Sequence, residues 1–173
     1  MTTPNNNDPT ARDHLVEAAG KHGGQDGGSC SEAIACTFCP GEGIDAATAM
    51  RLASGLAGGM GLPGGTCGVV TAAVLVIGLH LGPSAPIAAE RREMKMGVQL
   101  FLDRFIERHG STRCDRLSGL KNVHDPKEAA ALRRSGRPEE LIRSGAGLLY
   151  DVLAEMDQAR EAAIRKASEA SRV

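Results

Sequence analysis

The fold is decided by residues 66–81, TCGVVTAAVLVIGLHL, an apolar run that contains no Asp, Glu, Lys or Arg. A bilayer span needs about 20 continuous apolar residues. Glycines and Pro63 precede this run and Gly82-Pro83 ends it, so it is short for a membrane helix. A helix that is apolar on every side is typical of a position enclosed by other helices. We therefore predict a central core helix over residues 67–81 and no membrane insertion.

The composition excludes several classes of partner. The 173 residues include 20 basic and 21 acidic side chains, for a net charge of −1, and 42% are hydrophobic. Such a chain can bury a sizeable core, and it has no excess of positive charge for nucleic acid or an anionic membrane. Three Phe, one Tyr and no Trp leave no platform on which bases could stack. We expect no nucleic-acid partner.

The periodic segments all have the helical period, which predicts an all-α fold, a compact helical bundle around the central helix. We expect a flexible polar N-terminal segment over 1–28 and a single helical domain over 29–173. The first segment contains one short helix, from Thr10 to Ala19, and then a flexible joint of glycines between residues 20 and 28. Further helices are expected from Ser29 or Cys30 to about Phe38, from Asp45 to Met60 and from near Thr66 to Leu81. A helix from Glu90 to His109 is followed by a turn that carries Cys114. The last two helical segments are expected from Glu128 to Arg134 and from about Glu139 to Ser168.

The third and last of these helices carry predicted buried faces. The third is expected to bury Met50, Ala53, Leu56, Ala57 and Met60. The last is expected to bury Leu141, Gly145, Leu148, Val152, Met156, Ala159 and Ala163. Gly145 and Gly147 are expected to weaken its first turns.

The first residues, MTTPNNN, are polar and lack the basic and apolar regions of a secretory signal peptide. We therefore expect a cytoplasmic protein. Its five cysteines are Cys30, Cys36, Cys39, Cys67 and Cys114. In a reducing cytosol, several thiols in a chain that can fold without them indicate metal ligation or redox chemistry. The alternative is that some of them are small buried hydrophobes.

Three cysteines share a predicted local setting. Cys30, Cys67 and Cys114 each stand at the start of a helical segment, where unpaired backbone amides and the helix dipole stabilise negative charge. This setting lowers a thiol pKa and favours the reactive thiolate. Glycines on both sides of Cys67 leave the backbone bare for a close approach.

Four ordered blocks of the sequence resemble the C-GCAxxG-C-C family, whose members are described as redox-active. The blocks are Cys30-Ser31-Glu32-Ala33-Ile34, residues 53–61 (ASGLAGGMG), residues 65–73 (GTCGVVTAA) with Gly78-Leu79, and Phe105 to Leu117. The resemblance covers roughly residues 29–155 and implies a small helical domain, a redox or metal role for the shared cysteines, and a distant likeness to split-Soret cytochromes. Because no Cys-x-x-Cys-His occurs, covalent c-type haem is not supported.

The chain departs from this family in its last cysteine. The family's fourth cysteine is expected near Arg137 or Pro138, but no cysteine follows Cys114. A four-thiolate site built from the family positions is therefore impossible within one chain. Val69 and Ala72 are smaller departures that we expect to affect packing only.

Cys36 and Cys39 are an addition to the family pattern and could supply a missing ligand. Two cysteines three apart lie on one face of a helix, a spacing shared by zinc knuckles, iron–sulfur ligands and dithiol oxidoreductases. Pro40 follows them, so the pair closes a helix and the dipole raises its thiol pKa. Cys39 is the better candidate, because we expect it in an exposed loop.

Three other side chains are candidates of lower weight. His80 interrupts the central helix and is expected to be a hydrogen-bonded core residue. His109 lies five residues before Cys114, either as a ligand or as a cation that lowers the thiol pKa. Met60 is expected to fill the core, with a soft-ligand role as the alternative.

Three functional hypotheses follow. In the first, the protein resembles a thiol–disulfide oxidoreductase in which Cys67 attacks, Cys30 or Cys114 resolves, and a redox partner protein exchanges electrons with it. In the second, Cys30, Cys67 and Cys114 bind a transition metal ion or an iron–sulfur cluster, with Cys39, a His or a partner subunit as fourth ligand. In the third, the protein is a helical interaction protein with vestigial thiols. A homodimer is expected in addition.

Overall fold

The computed structural model describes residues 8–24, 26–61, 64–85, 87–120 and 125–171. The regular secondary structure of these residues is helical, and their only β contact is an isolated antiparallel bridge between Thr66 and Arg113. The helices are α1 (Pro9–Gly24), α2 (Cys30–Phe38), α3 (Ala46–Ser54), α4 (Gly68–Leu81), α5 (Ala88–His109), α6 (Cys114–Ser118), α7 (Pro126–Arg134) and α8 (Arg137–Ala170). A 3-10 helix, Cys39–Glu42, follows α2 directly. The all-α prediction is confirmed.

Helix α4 is the predicted central helix, and it packs against α2, α5 and α8. Its buried residues are Gly68, Val69, Val70, Ala72, Ala73, Val76, Ile77 and Leu81. Leu75 and Leu79 are 44% and 42% exposed, so one side of this apolar helix is not covered by the described chain. The expected homodimer stays a prediction. Among the described helices, none combines the length and hydrophobicity that a bilayer crossing needs.

Helix α8 is long, and its first two thirds close the bundle. Most of the predicted stripe is buried, namely Leu141, Gly145, Leu148, Val152 and Met156. Ala159 and Ala163 are exposed, because the end of the helix extends beyond the core. Gly145 does not weaken the helix start. A Cβ there would lie 2.1 Å from Val69 Cγ1, so this glycine permits the close packing of α8 on α4.

The prediction that α1 ends at Ala19 is wrong, and the expected joint of glycines does not begin at Gly20. Helix α1 continues to Gly24 and packs against α2 and α8. A Cβ at Gly23 would lie 2.2 Å from Ile142 Cδ1, so the glycine is a contact surface rather than a helix breaker. Arg12 Nε also donates to Asp151 Oδ1 at 2.7 Å. The polar residues 1–7 lie outside the described residues, and the division of the chain at residue 28 stays a prediction.

The third predicted helix begins as expected but ends early. The Asp45 side chain accepts a hydrogen bond from Thr48 N at 3.0 Å, as an N-cap residue does. The helix ends at Ser54 instead of Met60, because a turn at residues 58–61 (GGMG) has positive φ throughout. Met60 is 50% exposed, so the expectation that it fills the core is wrong.

The predicted core histidine, His80, connects three elements. Its Nδ1 lies 2.8 Å from Glu42 Oε1 in the 3-10 helix, and its Nε2 lies 2.9 Å from Asp157 Oδ1 in α8. The side chain of His80 is 9% exposed. Hydrogen bonding to Glu42 is the largest cause that raises the pKa of His80 to about 9, and it outweighs the opposing effect of burial. His80 is therefore a buried cation at neutral pH.

Candidate thiol site

Two of the predicted site cysteines, Cys67 and Cys114, each follow one residue of the Thr66–Arg113 backbone bridge. Cys67 N donates to Thr112 O at 2.8 Å, and Cys114 N donates to Gly65 O at 2.7 Å. In an antiparallel pair of this pattern, Cys67 and Cys114 are diagonal neighbours on one face, with Cα atoms about 7–8 Å apart. A disulfide needs Cα atoms within about 6.8 Å. A disulfide between Cys67 and Cys114 would therefore need one of the two segments to move toward the other.

Cys30 reaches the same place from α2. Ser29 begins this helix with a capping box that includes Glu32, so Cys30 is its first residue. A Cβ at Gly68 would lie 2.9 Å from Ser31 N and 3.4 Å from Cys30 Cβ. The missing side chain of Gly68 thus allows the start of α2 to contact the start of α4, and Cys30 lies beside the residue that follows Cys67.

The turn at residues 58–61 covers Cys114. Gly59 has a φ of 81°, and a Cβ on it would lie 2.9 Å from Cys114 Cβ and 3.0 Å from Gly65 N. A side chain at position 59 would be strained by its backbone conformation and would also collide with the cysteine. The bare backbone expected around Cys67 thus extends to a second segment, residues 58–61, which the sequence predicts as part of a helix.

The expectation of lowered thiol pKa values is wrong. Burial raises the pKa of Cys30 to about 12 and that of Cys67 to about 11. The backbone N–H groups of Val69 and Val70 act to lower the pKa of Cys67, as the helix start predicts, but burial has the larger effect. Burial also raises the pKa of Cys114, with a further contribution from Asp115. The thiols are therefore protonated at neutral pH.

The three thiols form one electrostatic group. The pKa of Cys30 is raised by burial first and then by Cys67 and by Cys114, and Cys114 also raises the pKa of Cys67. All five thiols of the chain are free. Cys67 is 3% exposed, whereas Cys30 and Cys114 are half-buried. We call Cys30, Cys67 and Cys114 the thiol cluster.

The structure does not bring Cys39 to the thiol cluster. Helix α2 separates Cys30 from Cys39, which corresponds to about 13 Å at 1.5 Å per residue. Cys39 is 4% exposed, so the expectation of an exposed loop is wrong: the 3-10 helix turns its side chain into the core. Within the described ranges, no three side chains of His, Cys, Asp or Glu are arranged to hold a metal ion.

His109 does not act as a cation beside Cys114. Its Nε2 lies 2.9 Å from Ser144 Oγ, and its ring packs on Phe105 with a centroid distance of 4.6 Å. Burial lowers the pKa of His109, with Arg108 acting in the same direction. A neutral imidazole at pH 7 does not stabilise a thiolate by charge.

Two residues that position the cluster were not singled out in the sequence. Ser31 is fully buried, and its Oγ donates to Ala53 O at 2.9 Å, which fixes the start of α2 against α3. Arg137 stands where the fourth family cysteine was expected, and its Nε donates to Leu117 O. A guanidinium at this position joins α8 to the helix that carries Cys114. The sequence does not distinguish Ser31 from the neighbouring polar residues Ser29 and Glu32.

Comparisons with known proteins agree with the sequence blocks. The profile of the family described as "Putative redox-active protein (C_GCAxxG_C_C)" matches residues 29–152, which is well over half of the 173 residues. No curated protein and no solved structure matches the chain. The match begins next to Cys30 and includes Cys67 and Cys114. The chain therefore belongs to the C_GCAxxG_C_C family.

Proposed function

We propose that the protein is a thiol–disulfide redox protein of the cytosol in which Cys114 and Cys67 cycle between a dithiol and a disulfide. The observation that carries the proposal is the backbone bridge at Thr66 and Arg113, which holds the two cysteines as diagonal neighbours. Cys30 is a third thiol at the same place and the alternative resolving group.

The accessibility of the thiols supports an order of reaction. Cys114 is half-buried at the start of a short helix, so the disulfide of a partner protein can reach it. Cys67 is 3% exposed and suits the second, intramolecular step. This order reverses the expectation that Cys67 attacks first, because a protein disulfide cannot approach a buried sulfur.

The proposed reaction transfers two electrons to the partner. The Cys114 sulfur attacks one sulfur of the partner disulfide, a mixed disulfide forms, and the other partner sulfur leaves with the proton of Cys114. Cys67 then attacks the Cys114 sulfur. The mixed disulfide breaks, the Cys67–Cys114 disulfide forms, and the second partner thiol leaves with the proton of Cys67. A partner disulfide has become two thiols, and the dithiol of this chain has become a disulfide.

Thiol counting with peptide mapping tests the assignment. Treatment of the reduced protein with a stoichiometric protein disulfide is expected to lower the thiol count from five to three. The lost thiols should map to Cys67 and Cys114. Cys30→Ser/Cys67→Ser, which lacks both candidate resolving thiols, should stop the reaction at the mixed disulfide, and Cys36→Ser, outside the cluster, should react as the natural chain does. The same loss of two thiols in the Cys67→Ser/Cys114→Ser variant would contradict the proposal.

The raised thiol pKa values predict a reducing couple with a simple pH dependence. A stabilised thiolate makes a disulfide couple strongly oxidising, and here burial removes that stabilisation. Because both thiols stay protonated, each reduction takes up two protons with two electrons. The reduction potential should therefore fall by about 59 mV per pH unit. The slope should stay constant from pH 7 to 9, as measured by equilibration with a dithiol buffer, whereas a break below pH 9 would contradict the raised pKa values.

The hypothesis that the thiols bind a metal ion or an iron–sulfur cluster is tested by measuring the metal content of the purified protein. Protein purified without oxygen is expected to contain less than stoichiometric iron, zinc and copper by elemental analysis. It should also lack the absorption near about 400 nm that iron–sulfur charge transfer gives. Stoichiometric metal that is lost in the Cys67→Ser variant would favour the carrier hypothesis over thiol cycling.

A further inference from the structure

A second pair of thiols lies at the far end of α2 and takes no part in the proposed reaction. Cys36 lies in the last turn of α2, and Cys39 follows as its C-cap residue and the first residue of the 3-10 helix. They are 7% and 4% exposed. Cys36 Sγ donates a weak hydrogen bond to Ala46 O at 3.6 Å, and burial raises the pKa of both thiols.

We propose that Cys36 and Cys39 form a second redox site, a buried dithiol that small hydroperoxides oxidise to an intrahelical disulfide. The proposal goes beyond the thiol cluster and is independent of Cys67 and Cys114. Its observation is the placement of two thiols three residues apart at a helix end that lacks one backbone hydrogen bond.

The backbone geometry suits a disulfide. Cys39 keeps right-handed helical angles, φ −58° and ψ −31°, so its Cα lies about 5 Å from that of Cys36. Disulfides form between Cα atoms about 4.4–6.8 Å apart. The Cβ atoms of such a pair are about 5–6 Å apart and must come closer by about 1 Å.

Pro40 makes this movement possible. In a continuous helix, residue 40 would donate its N–H to the Cys36 carbonyl, but proline has no N–H. The bond from residue 40 is therefore missing, and a shift of Cys39 toward Cys36 strains the bonds of Cys39 itself, from its N–H to Ala35 O and from Ile44 N to its carbonyl. The next residues, Pro40 and Gly41, are exposed, so the pair lies directly below the surface.

The burial of Cys36 and Cys39 restricts the oxidant to a small molecule. The disulfide of a protein cannot reach sulfur atoms that are less than a tenth exposed, whereas hydrogen peroxide is about the size of water. One thiol sulfur attacks the O–O bond of the hydroperoxide, which breaks. The product is a sulfenic acid, and the released oxygen leaves as alcohol or water with the thiol proton. The second sulfur attacks the sulfenic sulfur, the S–O bond breaks, and water leaves with the second proton. Two electrons have moved from sulfur to the hydroperoxide.

Peptide mapping of the natural chain tests the proposal. Cleavage after Glu32 and Glu42 releases residues 33–42, AIACTFCPGE, which contain Cys36 and Cys39 and no other cysteine. After treatment of the folded protein with hydrogen peroxide, this peptide should be two hydrogens lighter and should regain them with a dithiol reductant. A peptide that stays reduced, or that gains oxygen on both sulfur atoms, would overturn the proposal.

Variants separate this site from the thiol cluster. Cys39→Ser should remove the product that is two hydrogens lighter, and Cys36→Ser should do the same. In the Cys30→Ser/Cys67→Ser/Cys114→Ser variant only Cys36 and Cys39 remain, so peroxide should lower the thiol count from two to none. If peroxide does not oxidise residues 33–42 of the natural chain while Cys67 and Cys114 still cycle, the proposal for Cys36 and Cys39 is overturned and the proposed function of the thiol cluster is not.

Discussion

Replacing His80 by leucine is expected to lower the free energy of unfolding by about 3 kcal/mol at pH 7. The imidazolium lies between Glu42 and Asp157, which hold the pKa of His80 at about 9 against an ordinary value of 6.5. A difference of that size corresponds to about 3 kcal/mol of stabilisation. In the variant, the carboxyl groups of Glu42 and Asp157 lose the imidazole that lies between them.

The pH dependence of this loss has a definite sign. A histidine whose pKa is raised on folding stabilises the folded state fully below its unfolded pKa of 6.5, and the contribution disappears as the pH rises through about 9. Denaturant unfolding should show a gap between natural chain and variant that is widest at pH 6 and narrow at pH 10. His14→Leu, at an exposed position, should change stability by no more than about 0.5 kcal/mol. A gap that is constant with pH would contradict the charged state of His80.

Replacing Gly68 by alanine is expected to lower the free energy of unfolding by about 1–3 kcal/mol, as overpacking of a core does. The new methyl group would lie 2.9 Å from the backbone nitrogen of Ser31 and 3.2 Å from its Cβ. Neither atom is the end of a flexible side chain, so the starts of α2 and α4 must separate. Cys30 then moves away from Cys67, and alkylation of Cys30 should become faster.

The control for this substitution is in the same helix. Gly78→Ala places a methyl group where nothing lies within 4 Å, and alanine has the higher helix propensity. We expect Gly78→Ala to stabilise the protein by up to about 1 kcal/mol, measured by denaturant unfolding. Equal stability of the two variants would show that α2 and α4 do not approach each other closely at Gly68.

Local signals were sufficient to predict most helices. The Asp45 N-cap, the helix start at Ser29 and the helix end at His109 depend on residues within one turn, and the structure contains all three. The errors concern glycines with distant partners. Gly20 and Gly23 look like helix breakers in the sequence, but they face α8, more than a hundred residues away, and no local pattern shows such a contact.

The thiol cluster was predictable in its membership but not in its chemistry. Helix starts are local features, so Cys30, Cys67 and Cys114 could be grouped from the sequence. The direction of the pKa shift depends on how deeply each sulfur lies in the core, and this depth is set by tertiary packing. The Thr66–Arg113 bridge was also invisible, because a single pair of residues has no alternating pattern.

The position of α8 has a consequence for the making of the protein. This helix contacts α1, α2, α4 and α5, yet it is the last of the described helices to leave the ribosome. Synthesis proceeds at about 5–20 residues per second. The apolar surface of α4 that contacts α8 in the folded protein is therefore exposed for several seconds before α8 has been synthesised. A nascent chain in this state is a substrate for chaperones that bind apolar segments.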